Sequence, residues 1–289
     1  MGIHWKEARS TELKKMIRMP RMGLVTDMDG TISHIVEKPE DAVVSPRNHE
    51  ILSQLREKLT LVSIVSGRSL QSVAERMGLK NIVYIGNHGL ERCVNGKVKR
   101  SFDLKEYRPM LEAAVESLEK IDDKGVEVED KEATVTLHYR QTEDPEAIQE
   151  KLLPIIEEVA DKNDLDYFEG RMIFELRPPV SADKGTAFKR LVHDFFLDSV
   201  IYVGDDTTDI AALEMARELR ERGDTFALGV AVTCKDCSPE VAAAADFVVS
   251  GVEDVENLFA WILENRDKYS PRDFGLEEVQ SYIKRYFTE

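Results

Sequence analysis

The segment GLVTDMDGT, residues 23–31, joins a short apolar run to two aspartates and a glycine. A second segment, VIYVGDDTTD at residues 200–209, has the same arrangement far along the chain. Uninterrupted apolar runs of this kind are typical of strands buried on both faces of a parallel sheet. Parallel strands of an open sheet end at one common edge, so both acidic clusters are predicted to meet there. Because clustered carboxylates repel one another without a cation or proton, the pairing suggests a magnesium-dependent phosphoryl-transfer site.

The order of predicted elements indicates a core interrupted by an insertion. From Gly23 the chain alternates strand and helix, and the alternation resumes after Pro178-Pro179. Between these points the order is helix, two strands, helix, two strands, which is typical of a separate α+β module. We therefore predict an α/β fold with a Rossmann-like parallel-sheet core, residues 21–102 and 181–268, and an inserted α+β cap domain, residues 103–180.

The two ends of the chain are predicted to be helical. Residues 1–20 are interpreted as an N-terminal extension helix, because Ile3 to Met19 has helical spacing and Pro20 ends it. Residues 269–289 are interpreted as a C-terminal helical tail, with its helix from Asp273 to Tyr286. The sequence indicates no role for either segment.

Composition excludes several classes of function. The net charge of −16 would repel nucleic acid, whose binding requires basic side chains that neutralise phosphates. No apolar stretch approaches the roughly 18 residues of a membrane-spanning helix, and the first residues lack the apolar region of a secretory signal. We expect a cytoplasmic enzyme that binds neither nucleic acid nor membranes.

The cysteines give a weak signal. Cys93, Cys234 and Cys237 make an odd number, which argues against a disulfide framework. The last two have CxxC spacing, but a zinc site needs a second pair of ligands and none is nearby. An incidental pair in a loop is the favoured interpretation.

Two further motifs at strand ends could hold a phosphate group. Ser66-Gly67-Arg68-Ser69 follows the apolar run at residues 61–65, and Lys184-Gly185 begins the segment after the insertion. A hydroxyl, backbone N–H groups and an ammonium are the groups that bind phosphate. Each motif has a simpler explanation, since Asp-Gly turns, helix caps and surface lysines are common. The four motifs in this order favour the phosphate site.

Together these four motifs closely resemble those of the haloacid dehalogenase phosphohydrolase superfamily. The resemblance implies that Asp27 is the nucleophile forming an aspartyl-phosphate and that Asp29 is the general acid and base. It implies phosphate binding by Ser66, Gly67 and Lys184. It also implies a Mg²⁺ site, whose candidate residues are Asp27, Asp29 through its backbone carbonyl, Asp205, Asp206 and Asp209.

Within that superfamily the chain is similar to trehalose-6-phosphate phosphatases. The similarity lies in Leu137-His138-Tyr139-Arg140, Gly170-Arg171 through Glu175-Leu176-Arg177-Pro178, Asn87-His88-Gly89 and Gly204-Asp205-Asp206-Thr207-Thr208-Asp209. It implies a phosphorylated disaccharide substrate and a cap that selects it, with Glu175 as the first sugar contact. The implied substrate-binding residues are Arg68, Asn87, His88, His138, Arg140, Arg171, Glu175 and Arg177.

One departure from the family and several alternatives stay open. The family commonly has Glu-His-Gly where this chain has Asn87-His88-Gly89, so the amide would contact a sugar hydroxyl without charge. Phosphatases of mannosyl-3-phosphoglycerate or sucrose phosphate, a phosphosugar mutase and a non-catalytic phosphosugar-sensing subunit are the alternatives. Association with a trehalose-phosphate synthase is a further prediction from the resemblance.

Overall fold

The computed structural model describes residues 2–36, 38–170, 172–235 and 237–269. The strands are β1 Ile3–His4, β2 Met22–Thr26, β3 Leu61–Val65, β4 Val83–Gly86, β5 Glu91–Val94, β6 Lys97–Arg100, β7 Glu127–Asp130, β8 Val135–His138, β9 Asp166–Gly170, β10 Ile173–Arg177, β11 Ser199–Gly204, β12 Phe226–Thr233 and β13 Phe247–Ser250. The α-helices are α1 Glu12–Met16, α2 Pro46–Leu55, α3 Leu70–Met77, α4 Leu104–Leu118, α5 Pro145–Lys162, α6 Lys184–Asp194, α7 Ile210–Arg222, α8 Pro239–Ala244 and α9 Gly251–Tyr269. Four 3₁₀ helices cover Trp5–Ser10, Pro39–Asp41, Asn87–Gly89 and Thr207–Asp209.

The core is built on a nine-stranded sheet with the order β1-β13-β12-β11-β2-β3-β4-β5-β6. The strands from β1 to β4 in this order pair in parallel, and β5 is antiparallel to β4. Alternate residues of the central strands enter two apolar clusters, one on each face of the sheet. Leu24 packs on the face with α2 and α9, whereas Val25 packs on the face with α6 and α7. The predicted α/β parallel-sheet core is confirmed.

The N-terminal segment is not one helix, so the prediction of an extension helix for residues 1–20 was wrong. Its first residues form β1, which pairs in parallel with β13, and two short helical segments follow. Trp5 is buried, and its indole N–H and the His4 ring both bind the carboxylate of Asp254 in α9. Helical periodicity was misleading because pairing at a free sheet edge and burial of the indole outweigh the local preference.

The insertion forms a compact unit of its own. The chain divides into residues 1–99 with 182–289, and residues 100–181. The sequence predicted the boundaries of this unit between residues 102 and 103 and between residues 180 and 181. The inserted unit is a four-stranded antiparallel sheet of order β7-β8-β10-β9, whose apolar face packs on α4 and α5 through residues such as Leu137 and Phe174.

The sequence predicted a C-terminal helix and no membrane-spanning helix. The predicted helix from Asp273 to Tyr286 lies outside the described residues. Within the described residues, no helix combines the length and apolar character that crossing a membrane requires.

The CxxC pair forms a disulfide in the connection between β12 and α8. Cys234 and Cys237 are joined by an S–S bond of 2.13 Å, while Cys93 is a free thiol. The pair lies in a loop, as interpreted, but the bond between the two sulfurs was not predicted. An odd number of cysteines argues against a framework of several bridges, but it does not argue against one local bridge.

Candidate active site

The predicted catalytic motifs meet at the carboxyl-terminal edge of the core sheet. Asp27 directly follows β2, Ser66 follows β3 and Asp205 follows β11. These three strands are neighbours, with β2 between β11 and β3. Lys184 is the first residue of α6, which Asp183 caps by accepting the Thr186 N–H. The parallel topology thus brings together residues that are up to 178 positions apart, as the sequence predicted.

Asp27 and Lys184 form the buried centre of the site. Lys184 Nζ lies 2.8 Å from Asp27 Oδ1 and 2.7 Å from Asp209 Oδ1. Lys184 is only 3% exposed and Asp209 is fully buried. A buried ammonium between two carboxylates is held in one position, because leaving either partner would leave a charge without compensation.

Asp209 has both carboxylate oxygens occupied by protein groups. Oδ1 accepts from Lys184 Nζ and from Tyr202 Oη, the latter at 2.6 Å. Oδ2 accepts from the backbone N–H groups of Asp205 and Asp206, at 3.1 and 3.0 Å. This pattern makes Asp209 a residue that fixes the ammonium and the acidic loop, and it leaves less scope for direct binding of a cation.

Asp205 lies beside the turn that follows Asp27. Its Oδ1 accepts from Thr31 Oγ1 at 3.3 Å. Gly30 has a φ of +78°, and a Cβ at this position would lie 2.0 Å from Asp205 Oδ2. The glycine is therefore required twice, for its backbone conformation and for the close approach of the carboxylate.

Burial, together with the charges of neighbouring groups, shifts the pKa values of the site. Burial, followed by the charge of Asp209, raises the pKa of Asp205 to about 7. Burial also raises the pKa of Asp27 well above its usual value, although Lys184 opposes this. Burial alone would lower the pKa of Lys184, but the carboxylates of Asp209 and Asp27 outweigh it and raise that pKa.

A hard divalent cation fits this donor set. Asp27, Asp205 and Asp209 each offer a carboxylate oxygen, and these oxygens lie within 4.8 Å of one another. One ammonium, that of Lys184, lies among these three carboxylates, and oxygen ligands are those that Mg²⁺ prefers. The carboxylates of Asp29 and Asp206 are not part of this cluster. Asp206 instead accepts from the Thr207 N–H at 2.7 Å as a helix cap.

Asp29 forms a bidentate ion pair with Arg68. Arg68 Nε and Nη2 donate to the two Asp29 oxygens at 2.6 and 2.8 Å. Arg68 was predicted to bind substrate, and Asp29 to transfer a proton. In this structure both oxygens of Asp29 accept a hydrogen bond from the Arg68 guanidinium.

The segment Ser66–Arg68, which was predicted to bind phosphate, contacts the segment Asn87–Gly89. The N–H of Arg68 donates to Ser66 Oγ at 3.2 Å, and the N–H of His88 donates to the Ser66 carbonyl at 3.0 Å. A Cβ on Gly67 would lie 2.4 Å from His88 Nε2, so the imidazole packs directly against the loop. Asn87 is buried and its amide donates to Glu91 Oε2 at 2.7 Å.

In the inserted unit, Glu175 lies on the polar face of the sheet. It is 3% exposed, and its Oε2 lies 3.3 Å from Lys131 Nζ and 3.4 Å from Thr136 Oγ1. Its strand neighbours Phe174 and Leu176 enter the apolar core on the other face. Side chains therefore alternate between the two faces of the sheet from Phe174 to Leu176.

The other predicted cap contacts have different environments. His138 Nε2 lies 2.9 Å from Glu129 Oε2, and the Arg177 guanidinium stacks 3.4 Å from the centroid of Phe168. Arg140 lies in the turn after β8 and is half-buried. Arg171 lies outside the described residues. Their roles in substrate binding stay predictions.

No role was assigned from the sequence to several residues of these networks, among them Tyr202 and Lys131. Tyr202 was read only as part of an apolar strand, yet a tyrosine in a fully buried strand needs a partner for its hydroxyl. Lys131, beside Glu175, stands in a polar stretch with no apolar alternation to mark it. The sequence therefore offered a reason to look for a partner of Tyr202, whereas it offered none for Lys131.

Tyr202→Phe tests whether the hydroxyl positions Lys184 through Asp209. We expect kcat to fall roughly 3- to 30-fold with KM almost unchanged, because losing a hydrogen bond to a charged group weakens the placement of the ammonium. Steady-state kinetics measure both constants. Tyr84→Phe is the matched control, since the Tyr84 hydroxyl donates to the Leu79 carbonyl in the same sheet. Equal kcat values for the two variants would limit Tyr202 to a structural role.

Known proteins share this sequence pattern and fold. The profile of the trehalose-phosphatase family matches residues 25–252. Trehalose-phosphate phosphatase B of Arabidopsis thaliana is 29% identical over 233 residues, which cover 73% of this chain and 59% of that protein. The C-terminal domain of C. albicans trehalose-6-phosphate phosphatase has a TM-score of 0.74 at 22% identity, covering 91% of this chain and 98% of that chain. A haloacid dehalogenase-like hydrolase from Bacteroides thetaiotaomicron has a TM-score of 0.60 at 17% identity, covering 84% and 99%.

The solved structures and the family profile support different conclusions about this chain. At such low identity, the likeness to solved structures shows the fold alone. The chain spans 59%, 64%, 52% and 64% of the length of four curated relatives. The profile match includes all four motifs, from Asp27 to Asp209, and most of the chain. The chain therefore belongs to the trehalose-phosphatase family.

Proposed function

We propose that this chain hydrolyses trehalose 6-phosphate to trehalose and inorganic phosphate with the help of Mg²⁺. The observation that carries the proposal is the buried Asp27 carboxylate, paired with Lys184 and next to Asp205, in a chain of this family. A nucleophile, a fixed ammonium and a cation-binding carboxylate at one sheet edge are the parts that phosphoryl transfer requires.

In the proposed reaction, Asp27 attacks phosphorus and the bond to the sugar oxygen breaks. Asp29 donates a proton to that oxygen and then accepts one from the water that hydrolyses the aspartyl-phosphate. Lys184 neutralises charge on the transferring group, and Ser66 with the N–H groups of its loop holds the phosphate oxygens. Covalent catalysis divides one difficult step into two easier ones, in a reaction that is very slow without a catalyst.

The residues that would hold Mg²⁺ are Asp27, Asp205 and the backbone carbonyl of Asp29. When bound, the cation supplies positive charge to the phosphate and to the carboxylates around it. Asp209 contributes through its hydrogen bonds, which orient the Asp205 backbone and Lys184. Asp206 caps the following 3₁₀ helix and is a weaker candidate for a ligand.

Cation binding is expected to weaken as pH falls below about 7. The raised pKa of Asp205, about 7, means that a proton competes with the cation below that pH. The dissociation constant should rise by up to roughly tenfold per pH unit between pH 7 and pH 5.5, and should level off above pH 7.5. Titration calorimetry with Mg²⁺ measures it.

The raised pKa of Asp205 also determines whether the stability of the folded protein rises or falls with pH. The folded protein without cation holds more protons than the unfolded chain between the ordinary pKa of aspartate and pH 7, so its stability should fall as pH rises through that range.

Asp198→Asn is the control for the Mg²⁺ titration. This variant, which lacks a carboxylate at the opposite end of β11, should bind Mg²⁺ with the wild-type pH dependence. A dissociation constant that is independent of pH would contradict the role of Asp205.

We further propose that Glu175 recognises the hydroxyl groups of the disaccharide. It is the carboxylate on the polar face of β10, and Lys131 and Thr136 fix its orientation. An oriented carboxylate binds sugar hydroxyls through charge-assisted hydrogen bonds, which are about twice as strong as neutral ones. Its distance in sequence from the phosphate motifs suits a role in choosing the sugar.

Glu175→Gln is expected to reduce kcat/KM for trehalose 6-phosphate by roughly 10- to 10³-fold, the scale of one or two hydrogen bonds to a charged group. The glutamine keeps the side-chain size and limits the disturbance around Lys131. Hydrolysis of a small aryl phosphate should change little, because that substrate has no sugar. Glu157→Gln, an exposed position on α5, is the control. Equal losses on both substrates would exclude sugar recognition.

A phosphate-release screen tests the proposed activity. The substrates are trehalose 6-phosphate, sucrose 6-phosphate, glucose 6-phosphate and mannosyl-3-phosphoglycerate, each with Mg²⁺ and with excess chelator. We expect the highest kcat/KM for trehalose 6-phosphate and no turnover in chelator. A different preferred ester would change the substrate, phosphate retained on an isomerised sugar would indicate a mutase, and no turnover of any ester would indicate a non-catalytic subunit.

A further inference from the structure

The disulfide Cys234–Cys237 lies at the same edge of the core sheet as the candidate active site. It sits in the connection from β12 to α8, with a Cα–Cα distance of 5.1 Å. β12 pairs in parallel with β11, and Ala231 stands opposite Gly204, the residue before Asp205. The two strands therefore lead into neighbouring loops, one with the cysteines and one with the acidic cluster.

Both ends of this connection are anchored independently of the disulfide. Thr233 pairs with Ser250 of β13, and its hydroxyl donates to the Val249 carbonyl at 2.8 Å. At the other end, Ser238 caps α8 by accepting the Glu240 N–H, and Val241 of that helix is buried. Opening the S–S bond would loosen the short stretch that leads into the first turn of α8, while the anchors keep the protein folded with two thiols.

The cysteines are accessible to small reagents. Cys234 is exposed and Cys237 is half-buried. Within the described part of the chain, neither belongs to a group of three or more side chains that could hold a metal ion. Two accessible sulfurs at CxxC spacing without further ligands fit thiol–disulfide exchange better than metal binding.

Helix α8, which follows this connection, packs against the loop that carries the acidic cluster. α8 packs against the 3₁₀ helix Thr207–Asp209 and against α7. Arg217 of α7 also donates to the Ala244 carbonyl at the end of α8, at 2.7 Å. Asp209, at the end of the 3₁₀ helix, binds Lys184 and the backbone of Asp205. The position of α8 therefore bears on the acidic cluster through direct packing.

We propose that Cys234 and Cys237 form a reversible dithiol–disulfide switch that exchanges with small cellular thiols and disulfides, and that the disulfide favours the cation-binding arrangement of the acidic loop. In oxidation, the Cys234 thiolate attacks a small disulfide, forms a mixed disulfide and releases one thiolate. The Cys237 thiolate then attacks Cys234 sulfur, closes the intramolecular bond and releases the second thiolate. Two small thiols reverse both steps. The effect on the acidic loop rests on the proposed cation site, whereas the exchange itself does not.

Thiol labelling of the native, full chain tests the switch. After treatment with dithiothreitol and removal of the reductant, the Cys93→Ser variant should take up two iodoacetamide labels, and after oxidised glutathione it should take up none, as read by intact mass. The Cys93→Ser/Cys237→Ser variant should retain one glutathione on Cys234. Failure to reduce the bond without denaturant, or failure to close it again, would overturn the proposal.

Calorimetric titration with Mg²⁺ then tests the effect on the acidic loop. The reduced Cys93→Ser protein should bind roughly fivefold more weakly than the oxidised protein, a value at the low end of couplings between sites. The variant with all three cysteines replaced by serine should bind like the reduced protein under both conditions. Identical affinities of the two forms would overturn the coupling. If neither form bound Mg²⁺, the proposed cation site would fail, while the labelling result would still decide the exchange.

Discussion

Asp27→Asn is expected to lower kcat by roughly 10⁴-fold or more, the scale seen when an enzyme loses its nucleophile. An amide cannot attack phosphorus as a carboxylate does, and it cannot carry a transferred phosphoryl group. The amide has nearly the shape of the carboxylate and can still accept from Lys184 Nζ, which lies 2.8 Å from Asp27 Oδ1. The fold should therefore persist. Phosphate release at saturating trehalose 6-phosphate and Mg²⁺ measures the loss.

Asp198→Asn is the matched control for this substitution. Asp198 precedes β11 at the amino-terminal end, and its carboxylate pairs with Arg21 at 2.6 Å. It should retain kcat within about twofold of wild type, since surface ion pairs contribute little. Thermal unfolding would establish that both variants are folded. Activity of a folded Asp27→Asn protein within tenfold of wild type would exclude Asp27 as the nucleophile.

Lys184→Met is expected to impair both catalysis and stability. Removing the ammonium takes away charge stabilisation of the transferring group, for which roughly 10²- to 10³-fold in kcat is a typical loss. It also leaves Asp27 and Asp209 buried without a counter-charge, and breaking a buried ion pair costs about 3–5 kcal/mol in the free energy of unfolding. Urea unfolding in chelator and steady-state kinetics with Mg²⁺ measure the two effects.

The free energy of unfolding of the Lys184→Met variant should be lower at high pH than at low pH. Without the ammonium, the folded protein keeps protons on these carboxylates to higher pH than the unfolded chain does, so the variant should be more stable at pH 5.5 than at pH 8. Lys189→Met, an exposed position on the same helix, should leave stability and kcat unchanged. A loss below about 1 kcal/mol at pH 8 would show that the cluster does not depend on Lys184.

The sequence predicted the parts of the molecule that depend on local pattern. Apolar runs followed by acids identified the strands and the edge where Asp27, Ser66 and Asp205 meet. The insertion was visible because the order of elements changes. The N-terminal helix was a false prediction, because the edge of β13 provides hydrogen-bond partners that no local pattern reveals.

The side-chain networks could not be read in the same way. Arg68 binds Asp29 across 39 positions, and Lys131 binds Glu175 across 44. Such contacts follow from the rotation and register of elements that are distant in sequence, whereas charge and spacing indicate only that a residue is polar. The disulfide was misread for a related reason, since the count of cysteines says nothing about a loop that brings two neighbours together.

The pairing of β1 with β13 has a consequence for the order in which the domains fold. The core sheet takes strands from both sides of the insertion, so it cannot be completed until β13 has left the ribosome. The inserted unit is one continuous segment whose strands and helices pair within it, and it emerges earlier. Domains fold as units during synthesis, and distant strand pairs form slowly. The inserted unit is therefore expected to fold first, and the sheet edge with the candidate active site to assemble last.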